Sequence, residues 1–456
     1  MLRILTLIIS ITSEHGTDSM FASMFRMKER LMHPRLARLL REYCHRDSSE
    51  APAVKDISSQ KLDVVMKEAV ENVPFYRALA EAGQIDRKHP RIDQFPVIKK
   101  NDIRGREAEF VSDKFDLSSL ESTRTSGSTG EPFVFYRGKH EWDDSYACLW
   151  RGLFRLGLHM GDNRVFVKGV DERPDVSVLT KVKRWFYNVI NRCVVIDAHF
   201  LSVTEENVIA AIKRIKRFRP VYLHGYASSI DLLAGVAERK GIRLDDIGVR
   251  AVVTESEKLH DYQRKHIERV FSCIVAENYG CVEFGMIAQP DADGNLCIND
   301  DHVFVEVGDD GEAVYTNLDA HAFPLIRFKN GDRIELRNMK KSKLPYREIE
   351  RIEGRVAETI HLPQGGSLQG YIVMYPISKH MKYLREYQVY QPDINNLLIR
   401  VVEAEPLPAA IEAQIVSEMR DIVGDIINVE IQKVKSIPLT KRGKRTFVCS
   451  DVKQQF

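Results

Sequence analysis

A segment dense in small hydroxyl residues, TRTSGSTGEPFVFY at 123–136, poses the first chemical question. Thr125, Ser126, Ser128 and Thr129 sit around Gly127 and Gly130, just ahead of a β-branched, aromatic run. Hydroxyls and backbone N–H groups are neutral donors to an anion, and glycine lets the backbone approach it closely. The residue after Gly130 is Glu131, where a nucleotide loop often carries Lys, and GxxxxGK[ST] occurs nowhere in the chain. A phosphate held here must find its counter-charge elsewhere. Alone, the segment reads first as a flexible loop.

Four other places carry matching chemistry. NYGCVEFG (278–285) offers Tyr279, whose ring can stack on a base, and Glu283, whose carboxylate can hold Mg²⁺. NGDRIEL sets Asp332 after a turn glycine, where it can accept from ribose hydroxyls. EGRVAE supplies Arg355, and PLTKRGKR supplies Lys444 on a glycine-containing loop. Each has an ordinary alternative: a core Tyr, a turn Asp, a surface Arg, a solvated basic tail.

The elements around these residues alternate. VYLHGY, VRAVVTES and CIVAENYG read as strands, separated by helices over SSIDLLAGVAERKG and HDYQRKHIERVF. Ser202 with Glu205 reads as a capping box that opens a further helix, closed by Pro220. Alternation of this kind predicts a mostly parallel, helix-covered sheet, with ligands beyond the carboxyl ends of its strands. Gly225-Tyr226, Thr254 to Glu257 and Tyr279 to Glu283 lie at those predicted ends. Residues 25–85 read as helical, and FPVIKKNDIRG as a Pro-started connector. After residue 300 short β segments follow (HVFVEVG, GEAVYTNL, PLIRFKNGDRIEL, AETIHL), and the last hundred residues read as a compact α+β unit. A domain boundary is expected near Gly354-Arg355.

The chain has 456 residues and a net charge of +2, which suits two or three domains and gives no electrostatic footprint for nucleic acid or anionic lipid. The basic run KRIKRFR reads as a solvated helix face. Seven scattered Cys with no CxxC suit a reducing cytosol, and Cys297 with His302 is the one pair weighed as zinc ligands. The apolar run in MLRILTLIISITSEHG is too short to span a bilayer. Met20 and Met24 are alternative starts, so residues 1–24 read as an upstream extension of a cytoplasmic protein.

Taken together and in order, TSGSTGEP, HGYASS, TESEKL, NYGCVEFG, NGD, GR and PLTKRGKR resemble the adenylate-forming (AMP-binding) enzymes, in the branch of phenylacetate–CoA ligase and the CapK-like proteins of capsular polysaccharide loci. The likeness runs from about 60 to 450. It implies an α/β fold: a large N-terminal domain (25–354) of mostly parallel helix-covered sheets plus a small β region, and a small mobile α+β C-terminal domain (355–456). It implies that a carboxylate attacks ATP to give an acyl-adenylate and pyrophosphate, and that CoA or another nucleophile then displaces AMP. By position, Thr125, Ser126, Gly127, Ser128, Thr129 and Gly130 would cradle phosphates, and Ser256-Glu257 would line the adenine pocket. Tyr279 with Gly280 would lie near adenine, Glu283 would hold Mg²⁺, and Asp332 and Arg355 would bind ribose. Lys444 would bridge the carboxylate and the α-phosphate. His224, Gly225, Tyr226 and Phe284 would border the acyl pocket, and the aromatic residues there suggest an aromatic acid.

This supplies the missing charge. Two anions at 4 Å repel by roughly 4 kcal/mol at an effective dielectric near 20, and Mg²⁺ with the Lys444 ammonium would offset that repulsion. Three departures stand out. Cys281 replaces a usual Ser or Thr, Val356 and Ala357 replace usual acids after Gly-Arg, and LPQGGSLQGYIVMYPISK lacks the Pro-containing loop of the CoA-using relatives. The acceptor is therefore open among CoA, a carrier protein and an amine, and a homodimer is open as well. A degenerate relative that binds nucleotide or partner without catalysis is the alternative. A serine hydrolase on HGYASS is disfavoured, because GxSxG is missing.

Overall fold

The computed structural model describes residues 16–125, 133–169, 186–198, 201, 204–355, 359–364, 367–424, 426–440 and 445–452. The described residues open with four helices: α1 (Gly16–Met32), α2 (Leu36–Arg46), α3 (Ala51–Asn72) and α4 (Pro74–Glu81). Helix α1 runs through the expected start at residue 25. The long helical pattern divides at Val73, which is extended (φ −104°, ψ 117°) because Pro74 follows and crowds a helical predecessor. One face of α3 buries Leu62, Val65, Met66, Ala69 and Val70.

The connector after α4 docks as a strand-like bridge. The Ile98 N–H donates to the Arg327 carbonyl, and the Ile98 carbonyl accepts from the Lys329 N–H. The short helix α5 (Lys100–Ile103) follows at once. Strands β1 (Glu121–Thr125) and β2 (Phe133–Arg137) pair antiparallel, with Thr125 opposite Phe133. They bracket the glycine- and hydroxyl-rich segment, whose residues 126–132 lie outside the described set.

Helix α6 (Trp142–Arg155) leads into the parallel sheet. In chain order come β3 (Arg164–Lys168), β4 (Cys193–Asp197), α7 (Glu205–Phe218), β5 (Tyr222–Gly225), α8 (Ala227–Arg239), β6 (Ala251–Thr254), α9 (Asp261–Phe271) and β7 (Ile274–Glu277). The strand order is β4-β3-β5-β6-β7, with every pair parallel. The all-buried faces of β5 and β6 fit a sheet covered on both sides. Thr204 rather than Ser202 caps α7: its side chain accepts from the Asn207 N–H, and Ser202 lies outside the described residues. Arg219 ends that helix in the left-handed region (φ 48°), just before Pro220.

The expected strand CIVAENYG is two strands. After β7, Asn278 passes the chain to β8 (Tyr279–Cys281), which pairs in a different sheet. That sheet continues with β9 (Gly285–Pro290), β10 (Leu296–Ile298), β11 (Val303–Val307), β12 (Glu312–Asn317), β13 (Phe328–Leu336) and β14 (Glu348–Arg355). Its order is β11-β12-β13-β14-β10-β9-β8 and its pairs are antiparallel. Arg151 on α6 ties helix to sheet from a fully buried position: it forms an ion pair with Asp301 (2.8 Å) and donates to Asn299 (2.8 Å) and to the Tyr346 hydroxyl (2.6 Å).

The rest forms a third core. It comprises β15 (Thr359–His361), β16 (Ser367–Gln369), α10 (Gly370–Ser378), β17 (Leu384–Asp393), β18 (Asn396–Glu403), α11 (Ala409–Val423), β19 (Asn428–Lys433) and β20 (Val448–Ser450). Strands order as β19-β18-β17-β20, and Val389, Leu397, Ile399, Ile415 and Met419 are buried together. The expected boundary at Gly354-Arg355 falls on the last residues of β14.

Candidate active site

The carboxyl ends of the parallel strands are aligned. Gly225, Thr254 and Glu277 are Cα partners across β5, β6 and β7. The segments that follow them therefore leave from one rim, with neighbouring strands about 4.8 Å apart. Gly225 is held to glycine by contact: it has φ +149°, and a Cβ there would sit 1.8 Å from the Val167 carbonyl oxygen. The Tyr226 N–H donates to that same oxygen at 2.9 Å, and Tyr226 is buried. His224 is buried beside the Phe166 ring (4.6 Å), with Nε2 at 2.8 Å from the Glu255 carboxylate. These three residues form a packed wall, and Glu255 is an engaged acid that sequence reasoning passed over.

Ser256 is exposed, with a left-handed backbone (φ 68°). Glu257 turns back into the fold. Its Oε2 accepts from the Ser228 N–H (3.0 Å), in the first turn of α8, and its Oε1 accepts from the Arg445 N–H (2.7 Å). Burial pushes its carboxyl up, and the two N–H donors pull it back down.

Glu283 sits in the turn of the β8–β9 hairpin, where Cys281 pairs with Gly285. Gly280 makes that hairpin possible, since a Cβ there would lie 2.1 Å from the Gly285 carbonyl oxygen. The Glu283 side chain is 3% exposed. Lys100 Nζ stands 2.8 Å from its Oε1, yet that oxygen has no aligned hydrogen bond. Arg137 donates to the neighbouring Val282 carbonyl and lies over the Trp142 ring at 4.0 Å. Burial pushes the Arg137 guanidinium down to about 10 and the Glu283 carboxylate opposes that shift, so it keeps its charge at neutral pH. Lys100 and Arg137 are two cations near Glu283 that the sequence reading does not name. The Lys99-Lys100 doublet after FPVI was a signal for the first; the second had none.

The Tyr279 hydroxyl donates to Asp332 (2.8 Å) and lies 2.6 Å from the Tyr315 hydroxyl. Burial first, then Asp332 and Tyr315, pushes its phenol well up. Asn330 also donates to Asp332 (2.8 Å), and β13–β14 pairing sets Asp332 opposite Arg355. Phe284 is 1% exposed and packs against Tyr315 and Phe328 as a core residue. It also lines a narrow cleft with Tyr136, Arg137, Trp142, Glu283 and His302. His224, Gly225 and Tyr226 do not line that cleft.

Cys297 and His302 do not assemble a metal site. His302 faces Asp319 (2.6 Å) with Nδ1 and the Phe284 carbonyl (3.1 Å) with Nε2, which occupies both ring nitrogens. The Cys297 thiol is directed to the Asn295 carbonyl. Among the described residues no group of three or more His, Cys, Asp or Glu is placed to hold a metal.

The third core reaches the same rim. Arg445 is bound through its N–H to Glu257, and through its guanidinium to Glu386 of β17 (3.0 Å). Nearby, the Tyr262 and Tyr387 hydroxyls lie 3.2 Å apart, and the His260 and Phe447 rings meet edge to face at 5.5 Å. Lys444, the residue before Arg445, lies outside the described residues, as do Ser126, Gly127, Ser128, Thr129 and Gly130.

A parallel sheet is joined to a curled antiparallel one, with a separate mixed-sheet C-terminal unit docked on the rim, and this fold is shared with a solved CoA ligase. The fold superposes on 2-hydroxyisobutyryl-CoA ligase in its postadenylation state with 2-HIB-AMP at a TM-score of 0.70, with 20% identity, over 89% of this chain and 91% of that one. The same ligase in its thioesterification state gives 0.56.

Residues 363–451 match the CapK C-terminal domain family. The chain is 27% identical over 413 residues to protein CapK of Staphylococcus aureus, covering 87% of this chain and 89% of that one. It is 25% identical over 343 residues to the phenylacetate-coenzyme A ligase of Pseudomonas putida, covering 68% and 72%. Among the described residues no helix is long and apolar enough to cross a membrane.

Proposed function

We propose that this protein is an AMP-forming ligase, which activates a small carboxylic acid with ATP and releases pyrophosphate before passing the acyl group to a nucleophile. The observation that carries this reading is the setting of Glu283. It is a nearly buried carboxylate at a hairpin turn, with one oxygen lacking an aligned hydrogen bond and with Lys100 and Arg137 beside it. Such an acid suits Mg²⁺ entering with ATP, since Mg²⁺ is commonly held by one or two carboxylates plus substrate phosphates. Bound there, the ion would supply charge neutralisation at the phosphates. Lys100 would exchange its contact with Glu283 for a phosphate oxygen, adding a second cation where negative charge gathers.

Tyr279 and Asp332 would hold the nucleoside: the carboxylate, already oriented by Tyr279 and Asn330, would accept from ribose hydroxyls. Arg355, its strand partner, would add a donor. Lys444 would act from the tail domain, at the carboxylate and α-phosphate. The higher score against the postadenylation state supports a tail docked for the first half-reaction. The likeness to a phenylacetate-coenzyme A ligase supports a carboxylate substrate, with CoA the first acceptor to try and a carrier protein or amine next.

A pyrophosphate-release screen over a carboxylate panel with ATP and Mg²⁺ tests the reading, followed by addition of CoA. Release that requires both acid and Mg²⁺ is expected. No acid-dependent release across the panel contradicts it.

A further inference from the structure

We infer that Glu257 is a positioning residue for the tail domain: its carboxylate clamps the Arg445 backbone onto the rim for adenylation. This rests on the ligase reading above, and it assigns Glu257 a role that the sequence resemblance, which put it along the adenine pocket, does not give.

The geometry is that of a bridge. One carboxylate oxygen is held by the body of the protein, through the Ser228 N–H, and the other takes the N–H of a tail residue. Arg445 is fixed from its own side too, because its guanidinium, 7% exposed, pairs with the buried Glu386. The backbone at 445 is therefore pinned from two domains, one residue from the lysine that must reach the reacting oxygens. A misplacement of about 1 Å in such a group costs on the order of 10²-fold in rate.

Among the described residues the same contact also holds the His260 ring against Phe447 and a hydroxyl pair, Tyr262 with Tyr387. The Glu257 to Arg445 bond supplies direction, and it breaks whenever the tail leaves. A clamp of this kind favours the first half-reaction only. It lies on the loop after β6, next to the left-handed Ser256.

Two measurements on the full chain decide it. Hydrogen exchange followed at the Arg445 amide needs no substrate. Glu257→Ala and the milder Glu257→Gln should speed exchange there by about tenfold or more, the scale of one charge-assisted hydrogen bond. The second is ATP–pyrophosphate exchange with phenylacetate or the best acid of the panel. The variants should lose about tenfold in kcat with KM for ATP unchanged, and should process a synthetic acyl-adenylate with CoA at the wild-type rate. Unchanged Arg445 protection in Glu257→Ala overturns the clamp. A raised KM for ATP at constant kcat also overturns it and restores an adenine contact. If the wild-type protein activates no acid at all, the ligase reading fails, and the amide measurement still judges the clamp.

Discussion

The Tyr279 hydroxyl and the Asp332 carboxylate meet at 2.8 Å although their strands, β8 and β13, stand four places apart in the sheet order. In a flat sheet four spacings would separate them by roughly 19 Å. The antiparallel sheet must therefore curl until its β8 edge returns towards β12 and β13, and this one bond records that closure. The nucleoside end of the proposed site exists only because the sheet is curled.

Tyr279→Phe removes the donor while keeping the ring. It leaves a buried carboxylate with one partner fewer, a cost of about 1–3 kcal/mol. Denaturant unfolding should show that loss, and KM for ATP should rise several-fold with the fold intact. An unchanged KM would separate Asp332 from the nucleotide.

Glu283→Gln keeps volume and removes the charge. Pyrophosphate release should fall by about 10²-fold or more, the scale of losing one preorganised electrostatic group. Its Mg²⁺ requirement should shift to higher concentration. Release that falls without any change in Mg²⁺ dependence would assign Glu283 to Lys100 rather than to the metal.

Much of this arrangement was legible in the sequence. The apolar runs of β5 and β6 and the helical spacings between them placed the rim. NYGCVEFG and NGD marked Tyr279 and Asp332, which the fold brings into hydrogen-bond contact. The break at Asn278 was not legible, because an apolar run gives burial and not partner: β7 pairs with β6, and β8 pairs with β9. Lys100 was hidden for a similar reason. It reaches Glu283 through the bridge between Ile98 and the start of β13, a contact over more than two hundred residues. Local pattern carries no information about such pairings.

His260 gives the domain contact a pH dependence. Burial, helped by Lys258, pushes its imidazole down to about 3. A base whose docked value is depressed favours docking while neutral. That contribution is full above the ordinary value near 6.5 and is lost as pH falls below it, by up to about 1.4 kcal/mol per unit. Between pH 7.5 and 5.5 the tail should become more accessible to limited proteolysis in the wild type, and less steeply so in His260→Asn.

Arg151→Ala should be the most damaging substitution outside the rim. It leaves Asp301, fully buried, short of its closest partner. Breaking a buried pair from one side costs about 3–5 kcal/mol. Chemical denaturation should show a loss of that size. A loss below about 1 kcal/mol would mean that Arg46 and Lys61, which also approach Asp301, suffice.

The central claim is that positive charge from the tail lets two anions meet. Its most direct test is ATP–pyrophosphate exchange with an accepted carboxylate, in the wild type and in Lys444→Ala. The account predicts a fall of about 10²-fold or more in the variant, with transfer from a supplied acyl-adenylate retained. Equal exchange in the two proteins would contradict it.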